Sequence, residues 1–288
     1  MIGIRNIAVI CNPQSGKGKP LKLLPSFENF IKQHGFNYQS FTNNLPQHIN
    51  NFTDLVIMGG DGTINYTLNH FKTINIPIGI ISCGTGNDIA TLLIGKHPIQ
   101  HQFETALFAT PQKIDAGICN QKLFINGVGI GFDGWVVKKL MAKNLLHGKA
   151  AYYSTVISLL LFYKETKVKI VTDEECIESN LFMLSVANGK TYGGGFKVAP
   201  FAEVNDGLLE LIIINKLPLL KRLKYLPVIE NGKHLDKPLS FLKYKTCKKI
   251  SLQSTQKLKA HLDGEYMESN SFDIEILPQF LSIRTTLG

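Results

Sequence analysis

Paired cysteines, long apolar runs and an excess of acidic residues are all missing from this chain of 288 residues. Its five cysteines, Cys11, Cys83, Cys119, Cys176 and Cys247, are odd in number, scattered and without a Cys-x-x-Cys pair. That argues against a disulfide framework or a zinc site and for a reducing, cytoplasmic setting. The most apolar segment, Tyr152 to Phe162, falls far short of the roughly 20 residues a spanning helix needs, so any membrane contact is expected to be peripheral. The amino terminus runs straight into a strand-like segment without a basic region and a long apolar stretch, so no signal peptide is expected. No repeat or low-complexity tract is visible. Lys and Arg outnumber Asp and Glu by 31 to 22, a formal charge of +9 that favours anionic partners. Nucleic acid is not expected among them, because no helix-turn-helix or RNP-type element accompanies the charge.

The length suits two domains, and 44% hydrophobic content is ordinary for a globular protein. Up to about Asp115, short apolar runs (Ile7 to Cys11, Leu55 to Met58, Ile78 to Ile81) alternate with helix-length segments (Leu21 to His34, Ile64 to Phe71, Asn87 to Leu93). That rhythm predicts a parallel α/β sheet with crossover helices. From Lys122 it changes to strands: Leu123 to Ile130, Lys167 to Val171, Leu181 to Ala187, Leu208 to Ile214, Ile250 to Gln253 and Leu258 to Asp263. This half is expected to be mostly β, with domains at 1–118 and 119–276.

Three glycine-rich loops follow successive strands of the first half. Asn12-Pro13-Gln14-Ser15-Gly16-Lys17-Gly18-Lys19 is not a Walker A loop, because its glycines are misplaced for one. Gly59-Gly60-Asp61-Gly62-Thr63 and Gly84-Thr85-Gly86-Asn87-Asp88 repeat the strand-loop-helix arrangement. Each alone could be a turn, but three at the carboxyl edge of one sheet point to a phosphate site, where backbone amides and helix N-termini face the ligand. Asp61 among those amides suits a Mg²⁺ ion carried by a nucleotide.

In this order the three loops resemble the catalytic domain of diacylglycerol kinases, shared with sphingosine, ceramide and bacterial lipid kinases. Gly-Gly-Asp-Gly alone occurs in NAD kinases and phosphofructokinases; the third loop favours the lipid kinases. The resemblance, from Ile7 to Glu265, implies a phosphofructokinase/NAD-kinase-like nucleotide-binding domain, then a β-sandwich lipid domain, with the active site in the cleft between them. The last strand, 277–288, would return to the first domain. It implies ATP as donor and Mg²⁺ as cofactor. Nucleotide contacts would come from Asn12, Pro13, Ser15, Gly16, Lys17, Thr42, Gly59, Gly60, Asp61, Gly62, Thr63, Asn65, Gly84, Thr85, Gly86, Asn87 and Asp88. Lys17 or Lys19 would join the loop amides in holding the phosphates. Asp61, Asp88 and Asp115 would hold the nucleotide's Mg²⁺ through water. The sequence departs from the family at Ile64-Asn65-Tyr66, where x-Asn-Glu is usual.

In the second half, a long loop, Asn188-Gly189 through Asp206-Gly207-Leu208-Leu209-Glu210, is similar to the stretch by which bacterial lipid kinases hold a structural Mg²⁺. Glu203, Asp206 and Leu208 would supply the oxygens. Near the carboxyl end, Leu258, Ala260 and Leu262 alternate with Lys259, His261 and Asp263, so the latter three are expected to face away from the core, and Asp263-Gly264 reads as a hairpin turn. The family's Leu-Asp-Gly-Glu segment, here Leu262 to Glu265, supplies the group that takes the proton from the lipid hydroxyl. Asp263, Glu265 and Asp61 all stay open for that role.

The implied reaction is transfer of the γ-phosphate to a lipid hydroxyl, diacylglycerol giving phosphatidic acid. A sphingoid base, ceramide, monoacylglycerol or phosphatidylglycerol are alternative acceptors. An NAD-kinase-like enzyme and a non-catalytic nucleotide sensor are more distant readings. Peripheral contact with anionic phospholipid is expected from Val136 to Tyr163, with Lys138, Lys139, Lys143, Lys149 and Lys164, and from Lys221, Arg222 and Lys224. The reading leaves room for a homodimer.

Overall fold

A computed structural model of the protein describes residues 5–142 and 149–286, with the backbone alone for 149–152. They divide into two compact units, residues 5–114 with 279–286 and the described residues of 115–278.

In the first unit, β1 (Asn6–Cys11), β2 (Asn37–Phe41), β3 (Asp54–Gly59) and β4 (Ile78–Ser82) pair in parallel in the order β2-β1-β3-β4. The end of the chain's last strand joins beside β4, with Ile283 opposite Ile78. Every residue of β3 is buried, as expected for a parallel strand covered on both faces. Helix α1 (Lys19–Gln33) buries Leu24, Phe27 and Ile31, the three- and four-residue spacing of one helical face. They pack on Ile7, Val9, Val56 and Met58. Helices α2 (Asp61–Phe71) and α3 (Asp88–Ile94) each start directly after a glycine loop. Helix α4 (Ile99–Phe108), unexpected from the sequence, is anchored by Gln102, whose Oε1 accepts the Ser82 N–H at 2.9 Å and whose Nε2 donates to the His97 carbonyl at 2.8 Å.

Strand β5 (Pro111–Cys119) leads into the second unit, where β6 (Lys122–Phe124) and β7 (Gly127–Gly131) replace the single strand expected over Leu123 to Ile130. The break has a cause: the amides of Ile125, Asn126 and Gly127 turn away from the sheet to donate to the Asp263 carboxylate. Then come α5 (Phe132–Ala142), α6 (Lys149–Phe162), β8 (Thr166–Thr172), β9 (Cys176–Ala187), β10 (Leu209–Asn215), α7 (Leu219–Glu230), β11 (Leu242–Cys247), β12 (Lys249–Leu262) and β13 (Glu265–Arg284). The antiparallel order is β11-β10-β9-β7-β12-β13, with β8 pairing both β9 and β12. The runs Ile250 to Gln253 and Leu258 to Asp263 belong to one strand, β12, whose register shifts between Gln253 and Leu258.

Both faces of this unit's central strands are apolar, which is why a half expected to be mostly β also carries α5, α6 and α7. Leu209, Leu211 and Ile213 of β10 enter the sandwich core with Val128, Ile130, Leu252 and Phe272. Ile212 and Ile214, pointing the other way, meet Val156 and Leu160 of α6 and Leu226 of α7.

Candidate active site

The phosphate-type loops of the first unit touch backbone to backbone. A Cβ built on Gly84 would lie 2.5 Å from the Gly60 Cα, and one on Gly60 would lie 2.8 Å from the Gly84 Cα. Only glycine at both positions allows this approach. In the first loop the backbone passes from right-handed at Gln14 to left-handed at Gly16, Lys17 and Gly18, a pattern that turns successive N–H groups toward a concave anion site. Asn12 Nδ2 donates to Thr63 Oγ1 at 2.9 Å, tying the first loop to the second. Gly84→Ala is therefore expected to raise the KM for ATP at least about tenfold, by the steric displacement of two loops; steady-state kinetics with varied ATP would show it.

Asp61 links the second loop to the third. Its Oδ2 accepts the Asp88 N–H at 2.9 Å and its Oδ1 the Ile89 N–H at 3.1 Å, capping α3 from outside. Asn87 sits in the left-handed region at φ 57°. Its Nδ2 donates to the Gly84 carbonyl at 2.7 Å, while its buried Oδ1 has no hydrogen-bond partner among the described residues. Beside these loops, a polar pocket is lined by Asn12, Pro13, Thr42, Gly62, Thr63 and Tyr66. Thr42, Asn12 and Thr63 are thus brought together. Asn65, by contrast, is buried on α2 and gives its backbone and side-chain oxygens to Asn69. Tyr66, which replaces the family's Glu, is 63% exposed. Lys19 Nζ donates to the Ser82 carbonyl at 3.4 Å.

In the second unit, the hairpin from β12 to β13 has left-handed residues at Asp263 (φ 48°) and Gly264 (φ 88°), as a tight two-residue turn requires. The Asp263 carboxylate accepts three backbone N–H groups, from Ile125 and Asn126 at 2.8 Å and Gly127 at 2.9 Å. Both of its oxygens are therefore occupied in holding the β6–β7 corner. Glu265, two residues on, is exposed and makes no side-chain hydrogen bond among the described residues. One member of the pair is a structural acceptor and the other is open to solvent.

These features agree with two matches that together span most of the chain: the diacylglycerol kinase catalytic domain over residues 6–119, and the YegS C-terminal NAD kinase beta sandwich-like domain over residues 126–285. The chain belongs to the diacylglycerol kinase family of bacterial lipid kinases. It is 26% identical over 276 residues to a diacylglycerol kinase of Bacillus subtilis, covering 91% of this chain and 90% of that one. With a diacylglycerol kinase of Staphylococcus saprophyticus it shares 28% identity over 272 residues, covering 90% and 88%. A diacylglycerol kinase structure from Bacillus anthracis superposes with a TM-score of 0.76 at 19% identity, covering 100% of this chain and 99% of that one. An NAD kinase from Archaeoglobus fulgidus in complex with ATP gives 0.56 at 15% identity, covering 98% and 94%, a likeness of fold.

The lipid kinase's remaining acidic residues fall into two groups. Asp61 and Asp88 lie in the first unit and Asp115 in the second. Asp115 Oδ2 accepts the Gly207 N–H at 2.7 Å, fixing the loop that carries Asp206. Partial burial and the neighbouring Asp115 and Glu203 carboxylates push the Asp206 carboxyl up. Burial does the same to Glu210, with Asp206 adding to it, against a hydrogen bond from Tyr244. Glu210 Oε2 has no partner among the described residues. This accumulation of negative oxygen donors is one a hard divalent cation would relieve. No three His, Cys, Asp or Glu side chains converge to hold a metal directly among the described residues.

Sequence reasoning missed two sets of residues. Asn126 and Asn188 brace the Asp263 corner: Asn188 Nδ2 donates to the carbonyls of Ile125 and Asp115, at 2.7 and 3.2 Å, and Asn126 Nδ2 to Thr191 at 2.8 Å. His261, expected on an outward strand face, is buried against Asp133, because α5 covers that face of β12. The long loop that starts at Asn188-Gly189 was visible in the sequence, but nothing local signals the partners of Asn188.

Proposed function

We propose that the protein transfers the γ-phosphate of ATP to the hydroxyl of diacylglycerol, giving phosphatidic acid and ADP, with Glu265 as the proton acceptor. The observation that carries the lipid reading is a narrow apolar cavity inside the second unit, walled by Phe132, Val156, Leu160, Phe182, Ile214 and Phe241. At about 70 Å³ the cavity admits the end of an acyl chain rather than a whole one, and its lining offers few partners to a sugar or nucleotide. The names of the relatives favour diacylglycerol among the lipids.

In this mechanism the amides of the Ser15–Gly18, Gly59–Thr63 and Gly84–Asp88 loops hold the phosphates, with Lys17 and Lys19 adding positive charge. Asn12, Thr42 and Thr63 line the nucleoside side of the site. Mg²⁺, when bound with the nucleotide, neutralises charge that builds on the phosphate oxygens; Asp61, Asp88 and Asp115 are the residues to hold it through water. A second, structural Mg²⁺ would sit with Glu203, Asp206 and the Leu208 carbonyl. Glu265 takes the hydroxyl proton as the oxygen attacks the γ-phosphorus and the bond to ADP breaks.

The acceptor is a membrane lipid, so the protein must reach a bilayer. No helix among the described residues is long and apolar enough to cross one. Leu161 and Phe162 end α6, and Leu219, Leu220 and Leu223 begin α7; Phe162 is 74% and Leu220 81% exposed. Arg222 joins the two helix ends, donating to the Leu160 and Tyr163 carbonyls at 2.8 and 3.0 Å and pairing with Glu165 at 2.7 Å. Exposed Lys164, Lys221 and Lys224 flank these leucines. Lys143 and the Lys149 side chain lie outside the described residues. Apolar side chains ringed by lysine fit an anionic membrane surface. The combined Phe162→Ser and Leu220→Ser change is expected to lower the fraction sedimenting with phosphatidylglycerol-containing vesicles at least about fivefold, with activity in detergent micelles nearly unchanged.

The test of function is transfer of labelled γ-phosphate from ATP to a lipid panel in mixed micelles with Mg²⁺. Label in phosphatidic acid supports the proposal. Label only in a sphingoid, ceramide, monoacylglycerol or phosphatidylglycerol product replaces the acceptor, and label in no lipid overturns it.

A further inference from the structure

His261 and Asp133 form a buried carboxylate–imidazole pair that the reaction as described above does not use. His261 is 3% and Asp133 7% exposed. His261 lies on β12 two residues before Asp263, and Asp133 lies in the first turn of α5. The ring has two partners: Nε2 is 3.0 Å from Asp133 Oδ2, and Nδ1 is 3.3 Å from the backbone nitrogen of Gly264. A backbone N–H can only donate, so Nδ1 accepts and the ring proton sits on Nε2, which donates to Asp133. One tautomer satisfies both contacts. Tyr192 packs its ring edge-on to the imidazole, with centroids 5.5 Å apart, and its hydroxyl donates to Ser185. Opposite His261 in the ladder stands Gly129, where any side chain would run into both the imidazole and the Asp133 carboxylate.

The two ends of this chain of contacts are unlike. Asp133 and Tyr192 are polar members of the apolar cavity's wall. Gly264 is the middle of the turn that carries Glu265. We propose that His261, held by Asp133, is a positioning residue that fixes the Asp263–Glu265 turn relative to the wall of the acyl cavity. The inference rests on the reading of Glu265 as proton acceptor. Asp263 pins the turn from one side, through the Ile125–Gly127 amides on its carboxylate and its own N–H on the Gly127 carbonyl, and His261 pins it from the other through Gly264. With only the first pin the turn can rock about Asp263, and Glu265 moves with it. Displacement of a catalytic group by about an ångström lowers turnover on the order of 10²-fold.

The experiment compares His261→Phe, His261→Asn and Glu265→Gln in the full chain, with diacylglycerol in mixed micelles, alongside thermal unfolding. Phe fills the space without an acceptor for the Gly264 N–H; the Asn Oδ1 lies where Nδ1 was and restores one. His261→Phe is expected to lose roughly 30- to 100-fold in kcat, with KM for ATP and lipid within about threefold, and His261→Asn to recover most of the loss. A purely structural role would lower Tm in both variants and leave kcat per folded molecule unchanged, which would overturn the inference. Equal kcat losses in Phe and Asn would also overturn it. Should the Phe variant fail to fold, His261→Gln keeps the Asp133 contact but lacks the Nδ1 acceptor; a similar kcat loss supports the inference and wild-type kcat overturns it. If Glu265→Gln is inactive while His261→Phe turns over normally, the positioning role alone falls. If Glu265→Gln itself is active, the base assignment falls and takes the positioning role with it.

Discussion

Glu265→Gln is expected to lower kcat for lipid phosphorylation by about 10²- to 10⁴-fold, the contribution of a positioned general base, with Tm and ATP affinity unchanged. The neighbouring acid should behave in the opposite way. Asp263 accepts three amide hydrogens, from Ile125, Asn126 and Gly127. An Asn there turns one acceptor into a donor facing donors, and each buried N–H left unpaired costs about 1–3 kcal/mol. Asp263→Asn should therefore unfold at lower temperature and lose activity through loss of the turn. Kinetics and calorimetry on the two purified variants separate the roles. A stable, inactive Asp263→Asn beside an active Glu265→Gln would reverse the assignment.

The largest stability effect should come from Asp54. This buried carboxylate is bound by Arg5 at 2.6 and 2.9 Å and by Arg284 at 2.6 and 3.1 Å. Arg5 and Arg284 extend further, to the carbonyls of Leu107 and Ala109 at 2.7 Å each. The start of β1, the start of β3, the end of α4 and the end of β13 thus share one charge. Asp54→Ala leaves two largely buried guanidiniums without a counter-charge, a loss of about 3–5 kcal/mol by analogy with broken buried pairs; urea unfolding followed by circular dichroism would measure it.

The same carboxylate predicts a pH dependence. Burial opposes the Asp54 charge, but hydrogen bonds from Arg5, Arg284 and Thr53 outweigh it and hold the carboxyl below its ordinary value. A folded pKa below the unfolded one contributes stability that is present above the ordinary carboxylate value, about 4, and is lost as pH falls through the folded pKa. Wild-type stability should therefore drop steeply below about pH 4, and Asp54→Ala should flatten that limb. An equally steep limb in both proteins would assign acid sensitivity elsewhere.

The three glycine loops were legible because their geometry is local. Backbone amides can cradle an anion only where side chains are absent and a helix begins, and both conditions are written in consecutive residues at 59–63 and 84–88. The Asp263-Gly264 turn was legible for the same reason, since left-handed dihedrals select those residue types. Alternating apolar runs likewise announced the parallel sheet. Helix α4 was not legible, because its start at Pro98 and its anchor through Gln102 depend on Ser82 and His97 rather than on a strong apolar stripe.

By itself, then, the sequence determined the order of elements in the first unit, the three loops, the hairpin turn and the family they signify, all properties of short windows of chain. Tertiary structure decided which carboxylates serve as acceptors within the fold and which stand open. Asp263 meets amides 136 to 138 residues away, His261 meets Asp133 across 128, and Asp54 meets Arg284 across 230. A carboxylate's role depends on which donors reach it, and donors that far apart in sequence are brought within hydrogen-bond range only by the packing of strands and helices.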